Sequence, residues 1–360
     1  MAQLLNEITW GQSILPSVSD PAWEAEVKRR AGHVSEIDRR AAANPWVREI
    51  CVSVVTYRPV AMPQRLFNIG ALVTSQENAC RYCYGANRAY MKILGYSESF
   101  ISRLEQDATL AELDEQGHAF IAFCRSLARS RPRPMKSECD ALVALGFSPL
   151  AVTEMALMIA LGCNHNRIGT LSACPPEHGF ERMANGLLAP MTRPLLRMLM
   201  SMQRPPQPPT LDAEALSAGP FGPIVAAAAG LPAATIFKTA LHGAFASTVL
   251  PRRTKALMFA VVARTLGCGA SEAEARKLAA ADGLPAAEID AALSTLRCAS
   301  LPQREEPLLS WARDTVYYQV GAIQTKTAAV AAKLGDAAVL EAIGVAALAN
   351  ATVRLAMLRG

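Results

Sequence analysis

Apolar residues in this chain recur at the three-to-four-residue spacing of a helix, whereas apolar/polar alternation bounded by turn residues is nearly missing. The run Leu142, Leu145, Val152, Met155, Leu157, Met158 and Leu161 is typical. This pattern predicts an all-α fold. Helix ends are signalled by Ser19-Asp20-Pro21, a cap followed by a first-turn proline, and by Ser148-Pro149. Gly95 after Ile93-Leu94, and Gly283 before Leu284-Pro285, mark helix stops.

The nine residues from Met202 to Thr210 include four prolines, which cannot be helical and read as a semi-rigid linker near the middle of the 360-residue chain. The halves on either side match one another. At an offset of 188, Pro63/Pro251, Arg65/Arg253, Val73/Val261, Cys80/Cys268, Arg88/Arg276, Gly95/Gly283 and Ile101/Ile289 are identical. At 187, a later helix matches through Val152/Val339, Glu154/Glu341, Ala160/Ala347, Leu161/Leu348, Arg167/Arg354 and Leu171/Leu358. Amphipathic helices share a period by chance, but not Cys, Gly and Arg in one register. The expectation is two tandem helical domains, 1–200 and 216–360, joined by a linker at 201–215.

Lys and Arg number 36 against 31 Asp and Glu, a net charge of +5. The basic residues are scattered and not interleaved with aromatics, so no nucleic-acid partner is expected. Met1–Asn6, followed by Glu7, lacks the pattern of a secretory signal. The longest apolar stretch seen, Gly219 to Ile236, is interrupted by glycines and three prolines, so no membrane span is expected either. A soluble, cytoplasmic protein follows, and nine cysteines without an export signal read as reduced thiols.

Only Cys80 and Cys83 have a spacing with chemical meaning. At a helix N-terminus, residues three apart share a face, and the unpaired backbone N–H groups there favour a thiolate at the first sulfur. Cys80 would attack and Cys83 resolve. Two other readings stay open: buried cysteines that merely pack, or a metal site completed by Cys163 and His165. The latter suffers because those two residues, two apart on a helix, point about 200° from each other. Gly186 to Met202, rich in Leu, Met and Arg and broken by Pro190 and Pro194, reads as core or interface packing. His178 follows Cys174-Pro175-Pro176 in a surface loop.

The run Pro63-Gln64-Arg65, an apolar helix, Cys80-x-x-Cys83 and a helix ending at Leu94-Gly95 resembles the AhpD-like, or carboxymuconolactone decarboxylase, family. Leu250 to Leu257, leading to Leu266-Gly267-Cys268, repeats the resemblance, and together the matches cover about a third of the chain. The resemblance implies a redox-active CxxC disulfide, with a Glu and a His as proton relay. Here Asn68 stands at the Glu position and Asn87 at the His position, and an amide cannot shuttle a proton. In the second half Ala256, Ser271 and Ala275 replace the relay Glu, second Cys and relay His, so that half is expected to be silent.

Candidates to replace the relay are Glu77, Tyr82, Tyr84 and His165, the last within Cys163-Asn164-His165-Asn166-Arg167, which resembles the family's later helix. Arg81 and Arg88 could lower the Cys80 pKa by charge. Arg65, Arg88, Arg167 and Asn166 are candidates to hold a substrate. The expected function is an antioxidant thiol–disulfide oxidoreductase or peroxidase acting on a small peroxide or disulfide, without cofactor or metal. A dithiol reductant, such as a lipoyl group or a thioredoxin-like protein, would regenerate it. The alternatives are a cofactor-free decarboxylase-like enzyme acting on a small organic acid, and a non-catalytic helical assembly module. The resemblance also implies a homo-oligomer.

Overall fold

The computed structural model describes residues 3–186, 189–202 and 205–359. These residues form twenty α-helices, and no strand occurs among them. Helices α1 (Pro21–Ala31) and α2 (Glu36–Ala41) come first. A set of seven follows: α3 (Pro45–Thr56), α4 (Gln64–Glu77), α5 (Arg81–Leu94), α6 (Glu98–Gln106), α7 (Glu115–Arg129), α8 (Lys136–Ala144) and α9 (Pro149–Leu171). Next come α10 (His178–Asn185), α11 (Ala189–Met202), α12 (Ala213–Ser217) and α13 (Gly222–Ala226). A second set of seven closes the chain: α14 (Pro232–Ala246), α15 (Arg252–Thr265), α16 (Gly269–Ala281), α17 (Ala286–Thr295), α18 (Pro307–Asp314), α19 (Val320–Leu334) and α20 (Asp336–Met357).

The boundaries follow local chemistry. Asp20 accepts the Trp23 N–H ahead of Pro21, and Ser148 accepts the Ala151 N–H ahead of Pro149. Gly95 and Gly283 take positive φ just past α5 and α16. Five helices of the second set, those starting at Pro232, Arg252, Gly269, Ala286 and Asp336, begin 187 or 188 positions after Pro45, Gln64, Arg81, Glu98 and Pro149.

The two sets share one hydrophobic core, which extends from Ile8 to Leu358. At its centre α9 packs on α20, whose residues Val339 to Met357 are all buried. Small residues permit the close approach. A Cβ on Gly243 or Gly344 would lie 2.5–2.6 Å from Trp46 of α3, so that indole fits only against glycine. Helix α20 is the one described helix long and apolar enough to cross a membrane, and 89% of that apolar window is buried inside the protein.

Two arginines stitch the halves together reciprocally. Arg167 Nε donates to the Thr315 carbonyl at 3.2 Å, and Arg354 Nε to the Ala128 carbonyl at 3.4 Å. Thr315 and Ala128 are themselves 187 positions apart. Arg167 also donates to Val316 O and Asn78 Oδ1, while Arg354 donates to Asn350 Oδ1 and O.

Two segments depart from expectation. The proline-rich stretch is packed down rather than free: Gln207 bonds Thr56 O and Arg58 N, and Thr235 donates to Pro209 O. Residues 203 and 204 of that stretch lie outside the described residues. Helix α11 runs through Pro194 instead of breaking there, and Met191, Leu195, Leu199 and Met202 are exposed rather than in the core. His178 is the exposed first residue of α10.

Candidate active site around Cys80 and Cys83

The end of α4 aims the first sulfur. Ala79 N–H bonds Gln76 O at 2.9 Å and Cys80 N–H bonds Ser75 O at 3.1 Å, with Ala79 in the left-handed region at φ 46°. This turn satisfies the last α4 carbonyls and reverses the chain within two residues. Cys80 leaves it extended (φ −83°, ψ 95°) as the N-cap of α5, where its Sγ accepts the Cys83 N–H at 3.3 Å. The thiol thus occupies the position that Ser or Asp fills at other helix starts, next to the positive end of the helix dipole.

Helix α9 forms the facing wall. A Cβ on Gly169 would lie 3.2 Å from Cys80 Sγ and 3.6 Å from Cys83 Sγ, so glycine lets the helix backbone reach both sulfurs. Both cysteines are buried and unbridged. Complete burial disfavours a thiolate at Cys80, but hydrogen bonding from Cys83, its N–H included, outweighs it, holding the thiol below its ordinary value. Burial, reinforced by the Cys80 charge, pushes the Cys83 thiol well up. The pair is therefore polarised into one ionisable and one protonated sulfur. In the second half Cys268 is also an N-cap, but it accepts no such bond and its sulfur donates to Ser271 Oγ at 3.3 Å.

Of the two amides at the relay positions, only Asn87 joins the contacts between α5 and α4. Asn87 Nδ2 donates to Ser75 Oγ at 2.8 Å, and Ser75 gives its hydrogen to Ala71 O at 2.7 Å, with Asn166 Oδ1 3.3 Å from the same hydroxyl. Asn68 lies apart, bonded to Gln64 and Tyr96. Glu77 is turned away from the sulfurs toward α7, where its enclosed carboxylate pairs with Arg125 and Arg129. Tyr82 reaches Glu177 at 3.3 Å. Tyr84 is fully buried with its hydroxyl toward Glu105, and burial raises its pKa.

His165 is on α9 one turn before Gly169, but desolvation lowers its pKa to about 4, so it is neutral at physiological pH. Its Nδ1 is buried without a partner, as are Asn166 Nδ2 and Thr170 Oγ1 on the same helix. Cys163 Sγ accepts Asn78 Nδ2 at 3.4 Å.

The arginines expected to bind a substrate are tied elsewhere. Arg88 pairs with Glu105 at 2.9 Å and with Glu98, and Arg167 holds backbone carbonyls and Asn78. Arg65 reaches Glu112 O and the Phe100 ring, and Arg81 forms a bidentate pair with Glu181. A cleft of about 330 Å³ lined by Lys92, Tyr96, Arg193 and Arg197 includes neither cysteine.

Comparison with known proteins finds no matching family model, no similar curated protein and no similar solved structure.

Ser75, Gly169 and Tyr318 are site residues that the sequence does not signal as such. Tyr318, from the loop before α19, donates to Asn78 O at 2.9 Å beside the Cys80 turn. Gly162 and Gly169, seven apart within a long helix, were a readable sign of close helix approach. Nothing local marks Tyr318, because only folding across the halves brings it to the turn before Cys80.

Proposed function

We propose that the chain is a two-cysteine thiol–disulfide oxidoreductase or peroxidase of the AhpD-like kind, with its chemistry confined to the first of two diverged copies. The observation that carries the reading is the N-cap position of Cys80 Sγ, with the Cys83 N–H directed at it. Cys80 thiolate attacks the distal oxygen of a hydroperoxide. The O–O bond breaks, the sulfur becomes a sulfenic acid, and the departing alkoxide or hydroxide takes up a proton. Cys83 then attacks that sulfur, its thiol proton and the hydroxyl leaving as water, and a disulfide forms. A dithiol reductant returns two electrons and two protons.

The surroundings favour a small, uncharged oxidant. Both sulfurs are buried, and Arg88 and Arg167 are neutralised or bound to carbonyls, which leaves a carboxylate substrate of the decarboxylase kind without its cation.

The test is peptide mapping after brief treatment with hydrogen peroxide. A Cys80–Cys83 crosslink, absent in Cys80→Ser, is expected. Both thiols remaining alkylatable at millimolar peroxide would remove the redox reading.

A further inference from the structure

Helix α11 is apolar on two sides. Inward, Leu196 and Met200 pack against Ala89, Ile93, Phe180 and Ala184. Outward, Met191, Leu195, Leu199 and Met202 are 77%, 54%, 47% and 69% exposed. These four recur at steps of four, four and three residues, so they form one ridge, about 17 Å long, on a single helical face. A contiguous ridge of large apolar side chains on a protein surface marks a place where something else docks.

The charges beside the ridge identify its partner. From Arg182 to Leu211 the sequence has four arginines and no Asp or Glu, whereas the whole chain carries 36 basic residues against 31 acidic. Pro190, Pro194 and Arg197, again at steps of four and three, form the flank next to the ridge. With Arg193 and with Lys92 of α5 they line the cleft of about 330 Å³, where Glu98 is the one carboxylate among the described lining residues. Glu98 pairs with Lys92 and Arg88. Arg193 donates to Ala184 O and Arg197 to Ile93 O, neutral carbonyls that anchor each guanidinium without cancelling its charge.

We propose that α11 docks the protein on a bilayer containing anionic phospholipid. The ridge enters the boundary between headgroups and acyl chains, and Arg193, Arg197 and Lys92 meet headgroup phosphates at its flank. An apolar face beside cations, free of carboxylates, is the construction of a helix that lies in a membrane surface. With fourteen residues α11 is shorter than the roughly 20 that a span requires, so it lies in the surface plane. Flexible methionine and leucine side chains suit fluid acyl chains. A second copy of this chain fits less well, because two α11 faces would bring like charges together. The cleft is at the C-terminal end of α5 and Cys80 at its N-terminus, so this reading is independent of the redox chemistry.

The experiment is flotation of the full-length protein with vesicles of phosphatidylcholine alone, or of equal parts phosphatidylcholine and phosphatidylglycerol. Flotation with the anionic vesicles only is expected, and it should fall in about 1 M salt, where screening shortens the reach of charge to about 3 Å. Leu195→Ser with Leu199→Ser should lower partition by roughly tenfold, and both side chains are exposed, so the fold should tolerate the change. Arg197→Gln should weaken partition several-fold on anionic vesicles. If that variant fails to fold, the lipid and salt comparisons on the unaltered protein decide. No flotation, equal flotation with both vesicles, or flotation unchanged in the double serine variant overturns the proposal. So does sedimentation without vesicles in which the unaltered protein is an oligomer and the double serine variant a monomer, since the ridge would then be an interface between copies.

Discussion

His165 illustrates how burial redefines a residue that sequence nominates. A free imidazole titrates near 6.5, within the range useful to a base, but here desolvation alone lowers it to about 4. Between those two values the unfolded chain holds a proton that the folded one refuses. Stability is therefore complete above about pH 6.5 and is lost as pH falls toward 4, by on the order of 3 kcal/mol. Urea unfolding from pH 4 to 7 should show this slope, and His165→Gln should flatten it. An equal slope in the variant would place the proton uptake elsewhere. The same burial means that Cys80 alkylation should show no His165-dependent inflection near pH 6.5.

At the level of the helix, the turn between α4 and α5 matters more than the helices it joins. Ala79 sits at φ 46°, a conformation costing an L-residue about 1–2 kcal/mol, whereas the second half has Gly267 at φ 68° in the same turn. Nothing lies within 4 Å of a Cβ built on Gly267, so the cost there is one of backbone alone. Ala79→Gly should stabilise the protein by roughly 1 kcal/mol, and Gly267→Ala should destabilise it by a similar amount. Urea midpoints measured in parallel would check the pair. A loss of stability in Ala79→Gly would mean that the alanine methyl packs in a way that compensates its strain. The same turn occurs at the end of α9, where Ala173 at φ 49° precedes Cys174. Three residues whose order is Asn-Ala-Cys or Ser-Ala-Cys thus end a helix without glycine, so the stop after α9 carries no Gly or Pro signal in the sequence.

At the scale of the molecule, the continuous core and the reciprocal Arg167 and Arg354 bonds join what the sequence divides. Removing either guanidinium strands carbonyls in the partner half, so the damage is shared. Hydrogen exchange across a urea series should therefore show peptides of α4, α9, α15 and α20 opening with one free energy. Arg167→Met should lower all of them together. Loss of protection in α15 to α20 at distinctly lower urea than in α4 to α9 would mean two independent folding units.

Helix content and most helix ends were legible in this chain because they depend on local chemistry: apolar period, side-chain caps, proline at the first turn and glycine after the last. The spacing of matches at 187 and 188 was legible too, and helices recur at that spacing. The candidate cysteines could be picked out because the geometry that makes a CxxC useful lies within one helical turn. What surrounds them could not. Whether Arg88 and Arg167 are free for a substrate depends on Glu98, Glu105, Thr315 and Val316, residues up to 149 positions away. Glu77 lies near Cys80 in sequence yet answers to α7, while Gly169 and Tyr318, remote in sequence, lie against the sulfurs and beside the turn before them. Local preference sets where helices begin and end, but the charge state and hydrogen bonding of a buried group are set by what packs against it, and that is decided only when distant helices close on one core.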